Sequence, residues 1–200
     1  MVVPLAPAST WKRIPAAISR QLVVTIPGWS TRRNSLQGPV VGSGDLHWTD
    51  LGVPVSRSFL FLLASARPDG NSELLARAAA QQLGADTEQT WLDLTRLPLA
   101  DYVDERHAPG GATDGDEVEA ALHRATLDAS DIVIVSPLYW YSVSSYAKRY
   151  LDYWSKWLST PDPGFKEKMA GRTLWGVTAM AHPQEELAEP LRLTLHHTAA

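Results

Sequence analysis

The chain has 200 residues, 44% hydrophobic and 20% charged, which fits one soluble domain large enough to bury a core. It has no cysteine, which excludes a disulfide scaffold, a cysteine-ligated metal site and a thiol nucleophile. A net charge of -4 argues against nucleic acid as the main partner, and there is no run of about 18 apolar residues to span a membrane.

Charge is placed unevenly along the chain. Residues 1–44 hold Lys12, Arg13, Arg20, Arg32 and Arg33 and no acid at all. A basic, acid-free leader with Ser and Thr has the look of an organellar transit peptide. Pro4, Pro7 and Pro15 work against the long amphipathic helix such a peptide needs. Within this leader Gln21–Ile26 (QLVVTI) reads as one strand, closed by Pro27 and Gly28. From 29 to 57 turn formers and polar residues dominate without a sustained period. Residues 1–56 are therefore expected to be a basic, poorly ordered extension. A transit peptide and a packed addition to the domain are the other two readings.

The domain proper is expected over 57–200, where strands and helices alternate. The run 58–64 (SFLFLLA) is nearly all apolar, as in a strand covered on both faces. A turn over 65–70 leads to a helix opened by Asn71, Ser72 and Glu73, with Leu74, Leu75, Ala78, Ala79 and Leu83 at helical spacing and Gly84 placed to end it. A second strand is expected over 87–94. A long connection rich in Pro, Gly and Asp follows over 97–115. The next helix, 116–129, starts on Asp114, Asp116, Glu117 and Glu119, acids that suit a helix N-terminus. The run 131–136 (DIVIVS) is the clearest buried strand. A helix over 144–158, a weaker strand over 173–178 and a helix over 185–197, restarted near Pro190, complete the order. Such alternation implies a parallel sheet with helices on both faces. Ligands then sit beyond the carboxyl ends of the strands, at the loops after Ala64, Ser136 and Thr178.

The first loop suits an anion. Ser65, Arg67, Gly70, Asn71 and Ser72 lie between a strand and a helix start, where free N–H groups and the helix dipole attract negative charge. The two hydroxyls and the guanidinium add donors, and Gly70 allows close approach. An ordinary capped turn has the same residues. Neither the phosphate loop G-x-x-x-x-G-K-[ST] nor the dinucleotide pattern G-x-G-x-x-G is present. In the second loop Pro137, Leu138, Tyr139, Trp140, Tyr141 and Ser142 place three aromatics in a row at the ligand end. A planar ligand would give them a stacking partner, and packing under a helix or against a subunit is the other reading.

Together, Ser65-x-Arg67-x-x-Gly70-Asn71-Ser72 and the segment from Asp131 to Ser142 resemble the NADPH-dependent FMN reductases and NAD(P)H quinone oxidoreductases, a flavodoxin-like group. The resemblance runs on through Ala147-Lys148, Leu151-Asp152 and Met169 to Arg172, and covers about 57–200. It implies FMN as prosthetic group and NADPH or NADH as hydride donor. It implies a quinone, flavin or nitro compound as acceptor, no side-chain acid or base, and a homodimer in the cytoplasm. Ser65, Arg67, Asn71 and Ser72 would hold the phosphate. Pro137 to Ser142 would line the ribityl chain and ring, with Thr178 to Ala181 as the third loop. A carrier that binds FMN without nicotinamide turnover, or a truncated inactive fragment, are the alternatives.

Two departures stand out. Met180 and Ala181 lie where this family often has a glycine. The usual fifth strand and helix have no counterpart after the last helix, and the leader strand at 21–26 is one candidate to cover that edge. Aromatic residues also mark the helix 144–158, where Tyr146, Tyr150, Tyr153 and Trp157 form one strip and Ala147, Leu151, Trp154 and Leu158 another. One strip should face the sheet; the other either meets a second subunit or widens the core face. The six histidines show no metal-binding spacing, and among them His182 alone has a place near the third loop.

Overall fold

The computed structural model describes the backbone of Gln21–Ile26 and residues 57–109, 115–159, 164–182 and 184–199. The first strand, β1 (Gln21–Ile26), comes from the leader. Four more follow: β2 (Ser58–Leu63), β3 (Glu88–Asp93), β4 (Asp131–Val135) and β5 (Thr173–Ala179). The helices are α1 (Asn71–Ala80), α2 (Glu117–Asp128), α3 (Ser145–Ser159), the single-turn α4 (Phe165–Met169) and α5 (Glu189–Thr198). A 3-10 turn over Glu185–Ala188 precedes α5, which carries Pro190 in its first turn, as the break in the pattern predicted.

Across the sheet the order is β3-β2-β4-β5-β1. The strands β2 to β5 are parallel, in the flavodoxin-like order with the direction of winding reversed between β2 and β4. Alternate residues serve opposite faces. Leu60, Leu62, Ile132, Ile134 and Leu174 pack with α2, α3, α4 and α5, while Phe59, Phe61, Leu63, Val133, Val135 and Val177 pack with Leu75, Ala76 and Ala80 of α1. Each fully buried Leu, Ile, Val or Phe among them contributes about 1.5–3 kcal/mol relative to exposure.

The expected fifth strand is not lacking in place, only in kind. β1 pairs antiparallel with β5, from Gln21 opposite Ala179 to Ile26 opposite Leu174. It lies where a flavodoxin-like sheet has its fifth parallel strand, the edge the leader strand was a candidate to cover. The expectation of a poorly ordered extension, over 1–20 and 27–56, lies outside the described residues.

Helix ends show their local causes. Asp116 caps α2, its carboxylate accepting from the Glu119 N–H at 2.8 Å. α1 stops at Ala80 rather than at Gly84. Its last turn tightens, with Gln82 N–H on Ala79 O at 3.0 Å and Leu83 N–H on Ala80 O at 3.1 Å. α4 has only five residues, too few to leave a period in the sequence.

α3 settles the question of its two strips. Ala147, Tyr150, Leu151, Tyr153, Trp154 and Trp157 are all buried within the chain. Tyr150, Trp154, Trp157 and Phe165 form an aromatic cluster with ring centroids 5.4 to 6.0 Å apart. The helix therefore has one wide core face, and its aromatics carry no argument for a homodimer. Between α2 and α3, the buried Glu119 carboxylate accepts from Lys156 Nζ at 2.8 Å and Trp157 Nε1 at 3.0 Å.

The amino end of the parallel sheet is tied by Asp131. Its carboxylate, 2% exposed, accepts from Trp175 Nε1 at 2.8 Å, Ser130 Oγ at 2.7 Å and Arg57 Nε at 3.0 Å, with a second bond from the Arg57 guanidinium. Burial alone pushes its pKa up. The donors from Arg57, Ser130 and Trp175 outweigh burial and hold the carboxyl below the usual carboxylate range.

Candidate functional site

Among the loops at the opposite, carboxyl end of the sheet are those after β2, β4 and β5. Backbone bonds keep the strand ends level: Ala64 N–H donates to Val135 O at 2.9 Å, and Ser136 N–H to Val177 O at 3.0 Å. The buried Ser72 hydroxyl then accepts from Ala179 N–H at 3.2 Å, which fastens the end of β5 to the first turn of α1. The first and third loops thus meet through a residue the sequence had singled out for anion binding.

The first loop is shaped by its own side chains. Ser65 Oγ donates to Arg67 O at 2.9 Å and accepts from Arg67 N–H at 3.3 Å. Asp69 takes a left-handed conformation, φ 52°, which its short polar side chain tolerates. Gly70 leaves little room for a side chain: a Cβ there would lie 3.2 Å from both Arg67 O and Ser65 Oγ, so those neighbours would have to give by a few tenths of an ångström. No side chain caps α1 at Gly70, so the amides of its first turn point outward with the positive end of the dipole. Arg67 and Asn71 are exposed beside them. An anion is the natural complement of this arrangement.

The second loop is a short hairpin on a firm base. Ser136 Oγ donates to Pro137 O at 2.9 Å and accepts from Ser144 N–H at 2.8 Å, closing both ends of the loop. Tyr139 and Ser142 exchange backbone bonds of 3.1 and 3.0 Å around Trp140 and Tyr141. These two residues have φ 48° and φ 66°, the left-handed pair a two-residue turn of this hand requires. Asn-Gly is the common solution; bulky side chains cost about 1–2 kcal/mol each in that region. Leu138 packs on the core, whereas Tyr139, Trp140 and Tyr141 are 45%, 93% and 50% exposed. The three aromatics face solvent together rather than lying under a helix. The clamp by Ser136 and the strained turn are features the sequence reading missed. The polar residue at a strand end was visible, but its two bonds follow only from the loop's closure on Ser144.

The third loop begins at Met180, which is buried, and continues to Ala181 and His182, both exposed. Just before it, Thr178 is 1% exposed and its hydroxyl has no hydrogen-bond partner among the described residues. All predicted site residues thus lie in or beside the three loops at one end of the sheet. A hollow of about 220 Å³ lies elsewhere, between Tyr102, Arg106, Glu119, Tyr153 and Lys156, and includes none of them.

Geometry of this kind is shared by many flavodoxin-like proteins, and comparison with known families decides which. The model of one family, the NADPH-dependent FMN reductases, matches residues 58–199. The chain belongs to that family. The NADPH-dependent FMN reductase match starts at the first residue of β2 and leaves β1 outside it. The family is named for the NADPH-dependent reduction of FMN. Among curated relatives, YwqN of Bacillus subtilis, whose name assigns it to the NAD(P)H-dependent FMN-containing oxidoreductases, is 31% identical over 105 residues. That match covers 52% of this chain and 56% of YwqN, so the chain spans about half the length of this relative. Two solved structures share the fold. The Trp repressor binding protein of Bacillus subtilis is 20% identical with a TM-score of 0.51, over 70% of this chain and 74% of its own. The flavoenzyme FerB of Paracoccus denitrificans, an NAD(P)H:(acceptor) oxidoreductase, is 17% identical with a TM-score of 0.51, over 72% of each chain.

Proposed function

We propose that the chain is an NAD(P)H-dependent FMN oxidoreductase that passes reducing equivalents to a small acceptor such as a quinone, a flavin or a nitro compound. Bound FMN supplies the hydride chemistry, accepting from the nicotinamide and delivering to the acceptor. The observation that carries the reading is the meeting of an uncapped helix start, a close-approach glycine and an orphaned buried hydroxyl at one end of the sheet. These are the groups a phosphate and a polar ring edge call for. The first-turn amides of α1, with Arg67, Asn71 and Ser72, bind the phosphate, while Ser65 and Gly70 hold the loop in shape. Pro137 to Ser142 would line the ring, and the Thr178 hydroxyl would be available to bond it. Backbone N–H groups of the second and third loops steady the negative charge of the reduced ring. No side-chain acid or base is assigned.

The test is an absorbance spectrum of the purified full chain, before and after FMN is added and the unbound fraction removed. Retained flavin that NADPH bleaches under anaerobic conditions supports the oxidoreductase. Retained flavin that NADPH leaves oxidised makes the chain an FMN-binding carrier. A folded chain that retains none sinks the reading. Sedimentation mass on the same sample decides between monomer and homodimer, and an acceptor screen identifies the oxidant.

A further inference from the structure

The hollow of about 220 Å³ lies between the connection that follows β3, the first turn of α2 and the middle of α3. Buried Tyr153 forms one wall, its hydroxyl donating to Ala100 O at 3.1 Å, and the ring of Tyr102 stands edge-on to it with centroids 5.5 Å apart. The enclosed Tyr102 hydroxyl lies near Asp104 and makes no hydrogen bond among the described residues. Around the two phenols stand four carboxylates, of Asp101, Glu105, Asp116 and Glu119, against the cations of Arg106 and Lys156, so the lining carries a net charge of -2. Ion pairs that reach out of the hollow leave this balance unchanged, since Arg149 on Asp101 at 3.0 Å offsets Asp104 on Arg106 at 2.6 Å. Inside it, Lys156 is paired with Glu119 at 2.8 Å. Asp116 caps α2 and has no cation partner among the described residues. Burial, and after it the charges of Glu119 and Asp116, push the Tyr153 phenol up against the opposing Arg149, so the carboxylates set the sign of the field there.

We infer that this hollow is a second binding site, and that it takes a small planar organic cation of the guanidinium or amidinium class. The sign of the lining selects a cation over a phosphate or a carboxylate. The two phenol rings select a flat, weakly hydrated cation over a compact ammonium, because a guanidinium lies against a π face and donates to carboxylates in a fork. The enclosed Tyr102 oxygen has lone pairs free to accept from such an N–H, which gives a partner to a group that otherwise has none. Size sets the upper limit: about 220 Å³ is below the ~300–1,000 Å³ of pockets that enclose drug-sized ligands, so a nucleotide does not fit. None of the lining residues belongs to the loops after β2, β4 and β5, so the inference stands apart from the FMN oxidoreductase reading.

The test is calorimetric titration of the full chain at low salt with phenylguanidine, its neutral isostere phenylurea, and benzoate. Phenylguanidine should bind at least about tenfold more tightly than phenylurea, and benzoate should give no saturable heat. Added salt should weaken the cation. Two charge changes should move its affinity in opposite directions. Asp116→Asn, which keeps a cap on α2, should weaken phenylguanidine about fivefold, whereas Arg106→Gln should tighten it about threefold. Tyr102→Leu, which removes ring and hydroxyl, should weaken it about tenfold; Tyr102→Phe, which keeps the ring, should weaken it about threefold and serves in place of a leucine variant that does not fold. No saturable binding to the wild-type chain, equal binding of phenylurea, or shifts of the same sign in Asp116→Asn and Arg106→Gln overturns the inference. So does loss of phenylguanidine binding at saturating FMN, which places the cation in the flavin loops. A wild-type chain that retains no flavin yet binds phenylguanidine as described defeats the oxidoreductase reading and leaves this site standing.

Discussion

The hydroxyl of Thr178 is buried and meets no partner among the described residues. An unsatisfied buried hydroxyl costs about 1–3 kcal/mol. On the proposal that the FMN ring lies over it, Thr178→Val should act in opposite senses on two states. The FMN-free protein should melt about 3 °C higher, and FMN should be retained less well. Thermal melts with and without FMN check both; a lower melting point without FMN would show the hydroxyl already satisfied. Ser136 makes the contrasting case, since it is doubly bonded. Ser136→Ala removes the donor to Pro137 O and leaves the Ser144 N–H without its acceptor, at about 1–2 kcal/mol. Denaturant unfolding should show that loss. Wild-type stability in this variant would mean that the loop is held from elsewhere.

At the scale of elements, Asp131 joins β4 to β5 through Trp175 and to the chain entering β2 through Arg57. Asp131→Asn should cost about 2 kcal/mol at neutral pH, a figure kept low because the Arg57 partner is half exposed. The folded pKa of Asp131 lies below its unfolded value. Its contribution is therefore complete above the unfolded pKa and is lost as pH falls through the folded one. Unfolding measured from pH 7 downward should show stability declining below about pH 4, and a shallower acid loss in Asp131→Asn. An identical acid profile in the two proteins would remove Asp131 from the account. These strands were the most legible part of the sequence, because apolar runs such as 58–63 and 131–135 mark burial on both faces. The helices were legible by period, within three residues at the end of α1. The bonds that Asp131 makes were not legible, since Arg57, Ser130 and Trp175 come together only when three separate segments are placed side by side. The loops were readable as residue types suited to a ligand. The turn at Trp140 was hidden, because two bulky aromatics are the last residues that turn statistics would place at positive φ.

At the scale of the molecule, no described helix is long and apolar enough to cross a membrane. The sheet's far edge depends on β1, which pairs with β5 along all six of its residues. Removing residues 1–56 should expose that edge, lower the melting point by about 5 °C and make association rise with concentration. Sedimentation at several concentrations checks this; a truncated chain that stays monodisperse and equally stable would show that β5 needs no cover. The pairing of Gln21 with Ala179 also orders events in time. At about 5–20 residues per second of synthesis, β1 leaves the ribosome some 8–30 seconds before its partner exists. Through that interval an uncharged strand rich in β-branched residues has nowhere native to go. The earliest strand made is thus the latest placed, and nascent chains stalled before β5 should be the ones that chaperones hold and that aggregates collect.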